Sequence, residues 1–272
     1  MKREHYRNNE IRAVAAFLDR CRFGVLVVCI LAVVLAAPAS AWAYSYFWSV
    51  LDAKSGMPID RIDTVSVDPG GYVWVSGDSA DNGTGRLAVV DPMQEITGMS
   101  DELGRLAGVK ANAVGFEPVA EEKIADLESG GIWIATDHGI DVVHRNGVVT
   151  NINAGNSGLS GNRVTSLSVN AANTKWIAVW GRGVSCVDAE FNWQRYTRDD
   201  GLCSNYIISM QEDGHGNIWF GSKGRGVSCL SAEGEWTRFS SANSGLIGNR
   251  VNAIVVEPPG KVWFATPEGV SV

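Results

Sequence analysis

The sequence predicts an all-β protein made of five copies of one four-stranded sheet. Its 272 residues include 31 Gly and 10 Trp, and 45% are hydrophobic, a mixture that favours many short strands joined by tight turns. One strand pattern centred on Trp recurs five times, with spacings of 59, 43, 43 and 44 residues, at Trp74, Trp133, Trp176, Trp219 and Trp263. A period near 43 residues is that of one four-stranded blade of a β-propeller.

Each repeat divides into four strands, labelled a to d, by alternation of side chains and by turn residues. In the third repeat these strands are predicted at residues 164–169, 174–179, 183–187 and 192–196. Asp and Gly residues mark the turn between strands a and b, as in 213–217, because both tolerate turn geometry. In the second repeat the acidic segment 119–129 enlarges this turn, which explains the first long spacing.

The fifth strand d is predicted at the other end of the chain. Strands a, b and c occur five times, but strand d occurs only four times before Val272. Residues 46–51, followed by 55–62, match residues 235–240 followed by 244–251. An N-terminal strand that completes the last blade would pair two exposed sheet edges and leave five complete blades. The alternative is a piece of a longer propeller.

Residues 1–43 differ from the repeats and predict an export signal. Six Lys and Arg residues precede an apolar run at 23–37, and two Ala-x-Ala sites follow at 39–41 and 41–43, the pattern of a secretory signal peptide. The alternative is an N-terminal membrane anchor formed by residues 23–43. We therefore expect a signal or anchor at 1–43, a propeller domain at 44–272, and an exported protein in the periplasm or outside the cell.

Charge and cysteine content narrow the classes of function. Without residues 1–43 the formal charge changes from −7 to −10, which disfavours nucleic acid as a partner. The three remaining cysteines are Cys186, Cys203 and Cys229. Since two of them occupy equivalent positions in successive repeats, we expect buried structural thiols. The spacing predicts no metal site, and no cofactor motif is present.

The last three repeats resemble the two-component regulator propeller repeat. The resemblance lies in residues 243–251, Asn-Ser-Gly-Leu-Ile-Gly-Asn-Arg-Val, followed by Val262-Trp-Phe-Ala-Thr266 and Gly269-Val270; related segments occur at 156–164 and 200–207. It implies a periplasmic or extracellular sensor propeller, of the kind found in hybrid histidine kinases that detect polysaccharide fragments. Residues 1–272 hold fewer repeats than those kinases, and we expect no kinase domain within them.

Two sets of loop residues are candidates for ligand binding. The b-to-c loops and the d-to-a loops are expected on one face of a propeller, where side chains that differ from blade to blade can provide specificity. The candidates in the b-to-c loops are Asp78, Asp137, His138, Trp180, Arg182, Lys223, Arg225 and Glu268. Ordinary exposed turn residues are the alternative interpretation. Trp180 is the preferred stacking contact, because it lies beyond strand b, whereas the repeated Trp residues are explained by packing between blades.

The second set lies at the entry to the innermost strand. Four of its five aligned residues are basic, with Tyr206 as the exception: Arg61, Lys110, Arg163 and Arg250. Directed toward the channel, these residues would form a positive collar suited to carboxylates or sulfates. The alternative is that each bonds a carbonyl or carboxylate of a neighbouring blade. The preceding Asn residues, by contrast, are predicted to form turns.

The sequence favours binding over catalysis. No metalloprotease motif, nucleophile elbow or phosphate loop is present. We therefore predict a non-enzymatic exported propeller that senses or binds a small molecule, an oligosaccharide or a protein, with a membrane signalling partner as a further expectation. The alternatives are a carbohydrate-active or lyase-type enzyme using Asp137, His138 and Glu268, and a fragment of a larger hybrid histidine kinase sensor.

Overall fold

The computed structural model describes residues 51, 55–59, 61–78, 85–93, 95–98, 111–118, 131–144, 147–258 and 260–272. The predictions for the signal or anchor at 1–43, for the strand at 46–51 and for Lys110 rest on residues outside these ranges. A compact unit extends from Gly56 to Val272. Among the described residues there is no helix with the length and apolar character needed to cross a membrane.

In these ranges the chain forms five antiparallel sheets, one per repeat. Blade 1 contains β1 (Arg61–Val67), β2 (Val73–Asp78), β3 (Gly85–Val90) and β4 (Ile96–Gly98). Blade 2 contains β5 (Ala113–Phe116), β6 (Ile132–Thr136), β7 (Gly139–Val143) and β8 (Val149–Ile152). Blade 3 contains β9 (Val164–Val169), β10 (Lys175–Val179), β11 (Gly183–Val187) and β12 (Trp193–Tyr196).

Blade 4 contains β13 (Ile207–Glu212), β14 (Ile218–Ser222), β15 (Val227–Leu230) and β16 (Trp236–Phe239). Blade 5 contains β17 (Ala253–Glu257), β18 (Lys261–Thr266) and β19 (Gly269–Ser271). Strands that follow each other in sequence are neighbours in every sheet. The all-β, five-bladed propeller prediction is therefore confirmed, and within the described residues the last blade has three strands.

The core lies between successive blades because each sheet buries side chains on both faces. One cluster joins Trp133 of blade 2 to Leu167 and Ile177 of blade 3. In the cluster between blades 3 and 4, the rings of Trp176 and Phe220 meet edge to face, with 5.6 Å between their centroids. Equivalent clusters join blades 1 and 2 and blades 4 and 5. Four of the five repeated Trp residues are thus used in packing between blades, as predicted: Trp74, Trp133, Trp176 and Trp219. Trp263 of blade 5 belongs to none of these clusters.

The two ends of this row of blades remain accessible. The inner strands contact one another in the order β1, β5, β9, β13, β17. On the first inner strand, Val65 and Val67 are 46% and 59% exposed, and on the last one Val255 is 59% exposed. Trp263 is 37% exposed, whereas Trp133 is 1% exposed. Within the described part of the chain, the outward faces of the end blades are therefore more exposed than the faces that the interior blades turn toward one another.

Candidate functional site

In blades 2, 3 and 4, a backbone hydrogen bond joins the b-to-c turn to the d-to-a loop that leads to the next blade. The amide of Gly139 donates to the carbonyl of Asn162 at 2.7 Å, and the amide of Gly226 donates to the carbonyl of Asn249 at 2.8 Å. Gly183 makes the equivalent bond at 3.1 Å. Side chains from both types of loop consequently meet on one face of the propeller, which we call the loop face.

Asparagine side chains fix the d-to-a loops. The Oδ1 atoms of Asn162, Asn205 and Asn249 accept backbone N–H bonds of 2.8, 2.9 and 2.9 Å from the start of their loops. Asn side chains commonly bond nearby backbone in this way. The structure thus gives these three residues the role of turn formers, as the sequence predicted.

Short b-to-c turns present the variable side chains. In blade 4 the Ser222 hydroxyl donates to the Gly226 carbonyl at 2.9 Å and accepts from the Arg225 amide at 2.8 Å. Gly226 has φ of 81°, and a Cβ there would come within 2.0 Å of the Phe239 carbonyl oxygen. Glycine is required because both the backbone angle and the space exclude a side chain. The residues between Ser222 and Gly226, at positions 223–225, are exposed on the loop face.

The loop face contains an open cleft where blades 3 and 4 meet. Its volume is about 530 Å³, and we call it the cationic cleft; it is lined by Trp180, Ser204, Tyr206, Lys223, Gly224 and Arg225. The Trp180 and Tyr206 rings meet edge to face, with centroids 5.2 Å apart. Two backbone bonds hold this geometry: the Trp180 amide donates to the Arg163 carbonyl, and the Lys223 amide donates to the Tyr206 carbonyl, both at 2.9 Å.

Positive charge is concentrated around the Trp180 ring. Lys223 Nζ lies 4.6 Å and Arg163 Cζ 4.8 Å from the ring centroid, distances at which the π system attracts cations. Arg163 also pairs with Asp137 at 3.4 Å. Within the described part of the chain, Lys223 and Arg225 form no ion pair. The cleft therefore offers two uncompensated cations beside an aromatic pair.

The other predicted site residues lie in different surroundings. Arg61 bonds Asp78 at 2.5 Å and Asp63 at 3.5 Å within blade 1. Arg250 donates to the Asn252 side chain at 3.0 Å. Among the described contacts, none links Arg61 or Arg250 to Trp180. Of the three basic collar residues that the structure describes, Arg163 is thus the one at the cleft, and Arg61 already holds two carboxylates.

The remaining members of the b-to-c set do not line the cationic cleft among the described residues. Asp137 accepts from Asn112 Nδ2 at 3.1 Å in addition to its pair with Arg163, and His138 beside it is exposed. Glu268 is exposed on blade 5, and Arg182 is exposed on blade 3. These four predicted residues therefore lie outside the described lining of the cationic cleft.

Tyr206 is a cleft residue that sequence reasoning did not select. In the sequence it is the one aromatic residue aligned with the four basic residues at the entry to the innermost strand. In the structure it is 46% exposed, and its ring contacts Trp180. The available signal was its departure from the repeat: blade 4 carries an aromatic residue where other blades carry a cation. Trp180 shows the same kind of departure in the b-to-c turn.

The opposite edge of the blades is regular. A carboxylate in the a-to-b turn accepts the indole N–H of the repeated Trp: Asp68 from Trp74 at 3.1 Å, Glu117 from Trp133 at 3.0 Å, Asp213 from Trp219 at 3.0 Å and Glu257 from Trp263 at 2.9 Å. Three of these acids lie six residues before their Trp, a spacing that would have revealed the bond. These carboxylates have a structural role.

Blade 3 replaces this arrangement with a buried ion pair. Lys175 is 1% exposed, and its Nζ lies 2.7 Å from Glu117 Oε1 of blade 2 and 4.8 Å from the Trp133 centroid. Burial raises the pKa of Glu117, but the bonds from Lys175, Gly131 and Trp133 lower it more, so the pKa lies below its ordinary value. The equivalent position in other blades holds Val or Ile. Lys175 therefore ties two blades together.

Cys186 and Cys229 are poor nucleophiles. Burial raises the pKa of the Cys186 thiol to about 12 and that of Cys229 to about 11, so both stay protonated at neutral pH. All three of Cys186, Cys203 and Cys229 are free thiols, and Cys186 is only partly buried. In the part of the chain that the structure describes, no group of three His, Cys, Asp or Glu side chains is placed to hold a metal ion.

Comparisons with known proteins agree with this architecture. Residues 201–224, which include four residues of the cleft wall and the a and b strands of blade 4, match the model of the two component regulator propeller family. The predicted resemblance is therefore confirmed for this segment. No curated protein matches the sequence.

Solved structures that share the fold include the following two. The chain is similar to the extracellular domain of a protein described as a hybrid two component system from B. thetaiotaomicron, with 19% identity, a TM-score of 0.57, and coverage of 77% of this chain and 32% of that one. It is also similar to PorZ, a surface component of the type-IX secretion system of Porphyromonas gingivalis, with 14% identity, a TM-score of 0.57, and coverage of 86% and 34%. The chain thus spans about a third of the length of each.

Proposed function

We propose that this protein is an exported, non-enzymatic sensor-type propeller that binds an anionic small molecule or oligosaccharide in the cationic cleft. The observation that supports this most is the pair of cations, Lys223 and Arg225, beside the Trp180 and Tyr206 rings without carboxylate partners in the described residues. Arg offers a planar fork of donors suited to carboxylate and sulfate groups. Exposed edges of aromatic rings supply apolar contact to the ligand body.

Several features favour binding over reaction. Among the described residues that line the cleft there is no carboxylate or histidine that could transfer a proton, and its volume of about 530 Å³ is that of a small-ligand site. Asp137, which the enzyme alternative would require, already bonds Arg163 and Asn112. A ligand held on such a surface can pass information only through a partner, and similarity to extracellular domains of two component systems suggests a membrane signalling protein as that partner.

The binding proposal is tested by calorimetric titration of the purified chain with an oligogalacturonate and with a neutral oligosaccharide of equal length. We expect binding of the acidic sugar alone, weakened by added salt because exposed charges are screened. The double variant Lys223→Ala, Arg225→Ala should lose at least tenfold in affinity. Lys261→Ala removes an exposed cation from the opposite edge of the blades and serves as the matched control. Equal loss in this control, or equal binding of both sugars, would contradict the cationic cleft as the site.

Export is tested separately, since it depends on residues 1–43. Expression of the full chain in a Gram-negative bacterium, followed by fractionation and mass measurement, should give a periplasmic protein that begins near Trp42 or Tyr44. A full-length protein in the membrane fraction would support the anchor alternative. A full-length protein in the cytoplasm would contradict export.

A further inference from the structure

A second pocket adjoins the cationic cleft on the loop face. Its volume is about 390 Å³, and we call it the outer pocket. The fourth strand of blade 4 and the loop that follows contribute to its lining: Arg238, Phe239, Ser240, Asn243 and Asn249. Gly224 and Arg225 line both the outer pocket and the cationic cleft. The b-to-c turn of blade 4 is therefore a wall that the two cavities share.

The shared wall is open at Gly224. No atom lies within 4 Å of a Cβ atom built on this residue, whereas a ring atom of Tyr206 lies 3.3 Å from a Cβ atom built on the equivalent Gly181 of blade 3. The residue aligned with Tyr206 at the entry to blade 5 is Arg250, which bonds Asn252. The space over Gly224 is thus open where the two cavities meet, and glycine allows a ligand to approach the backbone closely.

Three cations follow one another along the two cavities. Lys223 lines the cationic cleft, Arg225 lines both cavities, and Arg238 lines the outer pocket. Arg238 Nε donates to the Gly201 carbonyl and its Nη2 to the Arg198 carbonyl, both at 2.8 Å. These carbonyls orient the guanidinium without neutralising it, because they carry no net charge. None of the three cations pairs with a carboxylate among the described residues, so a ligand that fills both cavities meets three uncompensated positive charges.

Two asparagine side chains add neutral donors to the outer pocket. Asn243 Nδ2 donates to the Arg238 carbonyl at 3.1 Å, and Asn249 Nδ2 donates to the Ser241 hydroxyl at 2.9 Å. A side-chain amide carries two N–H groups, so each Asn retains one donor beyond these bonds. Because the bonds already fix both side chains, a ligand pays little ordering cost to use them. Such donors beside cations suit a ligand that carries hydroxyl groups as well as negative charge.

We infer that the ligand of the cationic cleft is a linear acidic oligosaccharide of at least three units, which crosses Gly224 and continues into the outer pocket. This inference rests on the function proposed above. One unit lies beside the two aromatic rings with its carboxylate at Lys223, the next carboxylate binds Arg225 where the cavities meet, and the third binds Arg238. Every unit of such a sugar carries a carboxylate and hydroxyl groups, whereas a unit of an acidic peptide carries the carboxylate without a hydroxyl.

Calorimetric titration of the purified chain with digalacturonate and tetragalacturonate tests the length. The tetrasaccharide should bind at least about tenfold more tightly, which exceeds the factor of about three that three equivalent registers on a two-unit site would give. Arg238→Gln should remove this difference and leave disaccharide affinity unchanged, because of the two cavities Arg238 lines the outer pocket. Arg195→Gln is the matched control: Arg195 is the equivalent residue of blade 3, donates to the Arg182 carbonyl at 3.2 Å, and is not among the described residues that line either cavity.

A second variant tests the passage between the cavities without removing a charge. Gly224→Leu places a side chain in open space, and the φ of Gly224 is not positive, so the thermal unfolding midpoint should not change. Tetrasaccharide affinity should fall at least about tenfold because the chain can no longer occupy both cavities. Gly214→Leu, at an equally open glycine in an a-to-b turn, is the matched control and should leave both affinities unchanged.

The outcomes separate this inference from the function on which it rests. Both are supported if Lys223→Ala, Arg225→Ala weakens binding of both sugars while Arg238→Gln and Gly224→Leu weaken binding of the tetrasaccharide. Equal affinity for the two sugars, reduced by the double variant but not by Arg238→Gln, keeps the cationic cleft as the site and overturns its extension. Binding of neither sugar contradicts both proposals. Tetraglutamate that binds as tightly as tetragalacturonate would show that charge alone is recognised, and would overturn the assignment to a sugar.

Discussion

The two edges of the propeller blades use Trp in opposite ways. At the a-to-b edge the indole N–H of a repeated Trp bonds a carboxylate, as in Trp219 with Asp213 at 3.0 Å. At the loop face Trp180 has no such anchor, occurs in one blade, and is surrounded by the cations Lys223 and Arg163. Residues that repeat serve the scaffold, whereas those that differ form the cleft. The following predictions test this division.

The largest effect is expected from breaking the buried pair between blades 2 and 3. Lys175→Ile leaves the Glu117 carboxylate buried without its cation, so the free energy of unfolding should fall by about 3 kcal/mol, measured by urea denaturation. Adding Glu117→Gln to this variant removes the uncompensated charge and should restore part of the loss. Lys261→Ile changes an exposed Lys and should have little effect. A loss below about 0.5 kcal/mol in Lys175→Ile would contradict the role of the pair.

A smaller loss is expected from removing one indole anchor. Asp213 accepts from the Trp219 indole, the Asn217 amide and the His215 amide, so Asp213→Ala should lower the free energy of unfolding by about 2 kcal/mol. Asp188→Ala is the matched control, because Asp188 bonds its own turn but no Trp. Equal losses in the two variants would mean that the bond to the indole adds nothing.

Acid should lower the free energy of unfolding, because the carboxylates that bond the repeated Trp residues at the a-to-b edge become protonated. Burial raises the pKa of Asp213, but the bonds from Trp219 and Asn217 lower it more, and the pKa of Glu117 is lowered likewise. A carboxylate whose pKa is lower in the folded state stabilises fully above its unfolded pKa, near 4, and that contribution is lost as the pH falls through the folded pKa. Urea midpoints should therefore fall below about pH 4. Glu117→Gln should reduce this dependence; an unchanged slope would contradict the assignment.

The smallest effect on stability is expected in the cleft. Lys223 is exposed and pairs with no carboxylate among the described residues, so Lys223→Ala should change the free energy of unfolding by no more than about 0.5 kcal/mol. The same variant should weaken binding of an acidic oligosaccharide several-fold. A large destabilisation would instead show that Lys223 supports the fold through Trp180, and the contrast between the two edges would then be lost.

The repeats made most of the fold predictable. Five copies of one pattern, each with its own turn residues, located strands such as β9 (Val164–Val169) and β11 (Gly183–Val187) to the residue. The cleft was predicted only in part. Trp180, Lys223 and Arg225 were selected because they vary between blades, but Tyr206 was not, since its contact with Trp180 joins two loops 26 residues apart in sequence.

The sequence by itself determined the four-stranded blade. Strand periodicity and turn chemistry are local properties, and they recur in each repeat of about 43 residues. Only the tertiary structure decided which irregular residues meet. It placed Arg163 with Asp137, left Lys223 and Arg225 without a carboxylate in the described chain, and buried Lys175 against Glu117. These outcomes depend on how neighbouring blades pack against one another. Whether a charged side chain is paired depends on its distance from side chains of the next blade, and the sequence of one repeat does not contain that distance.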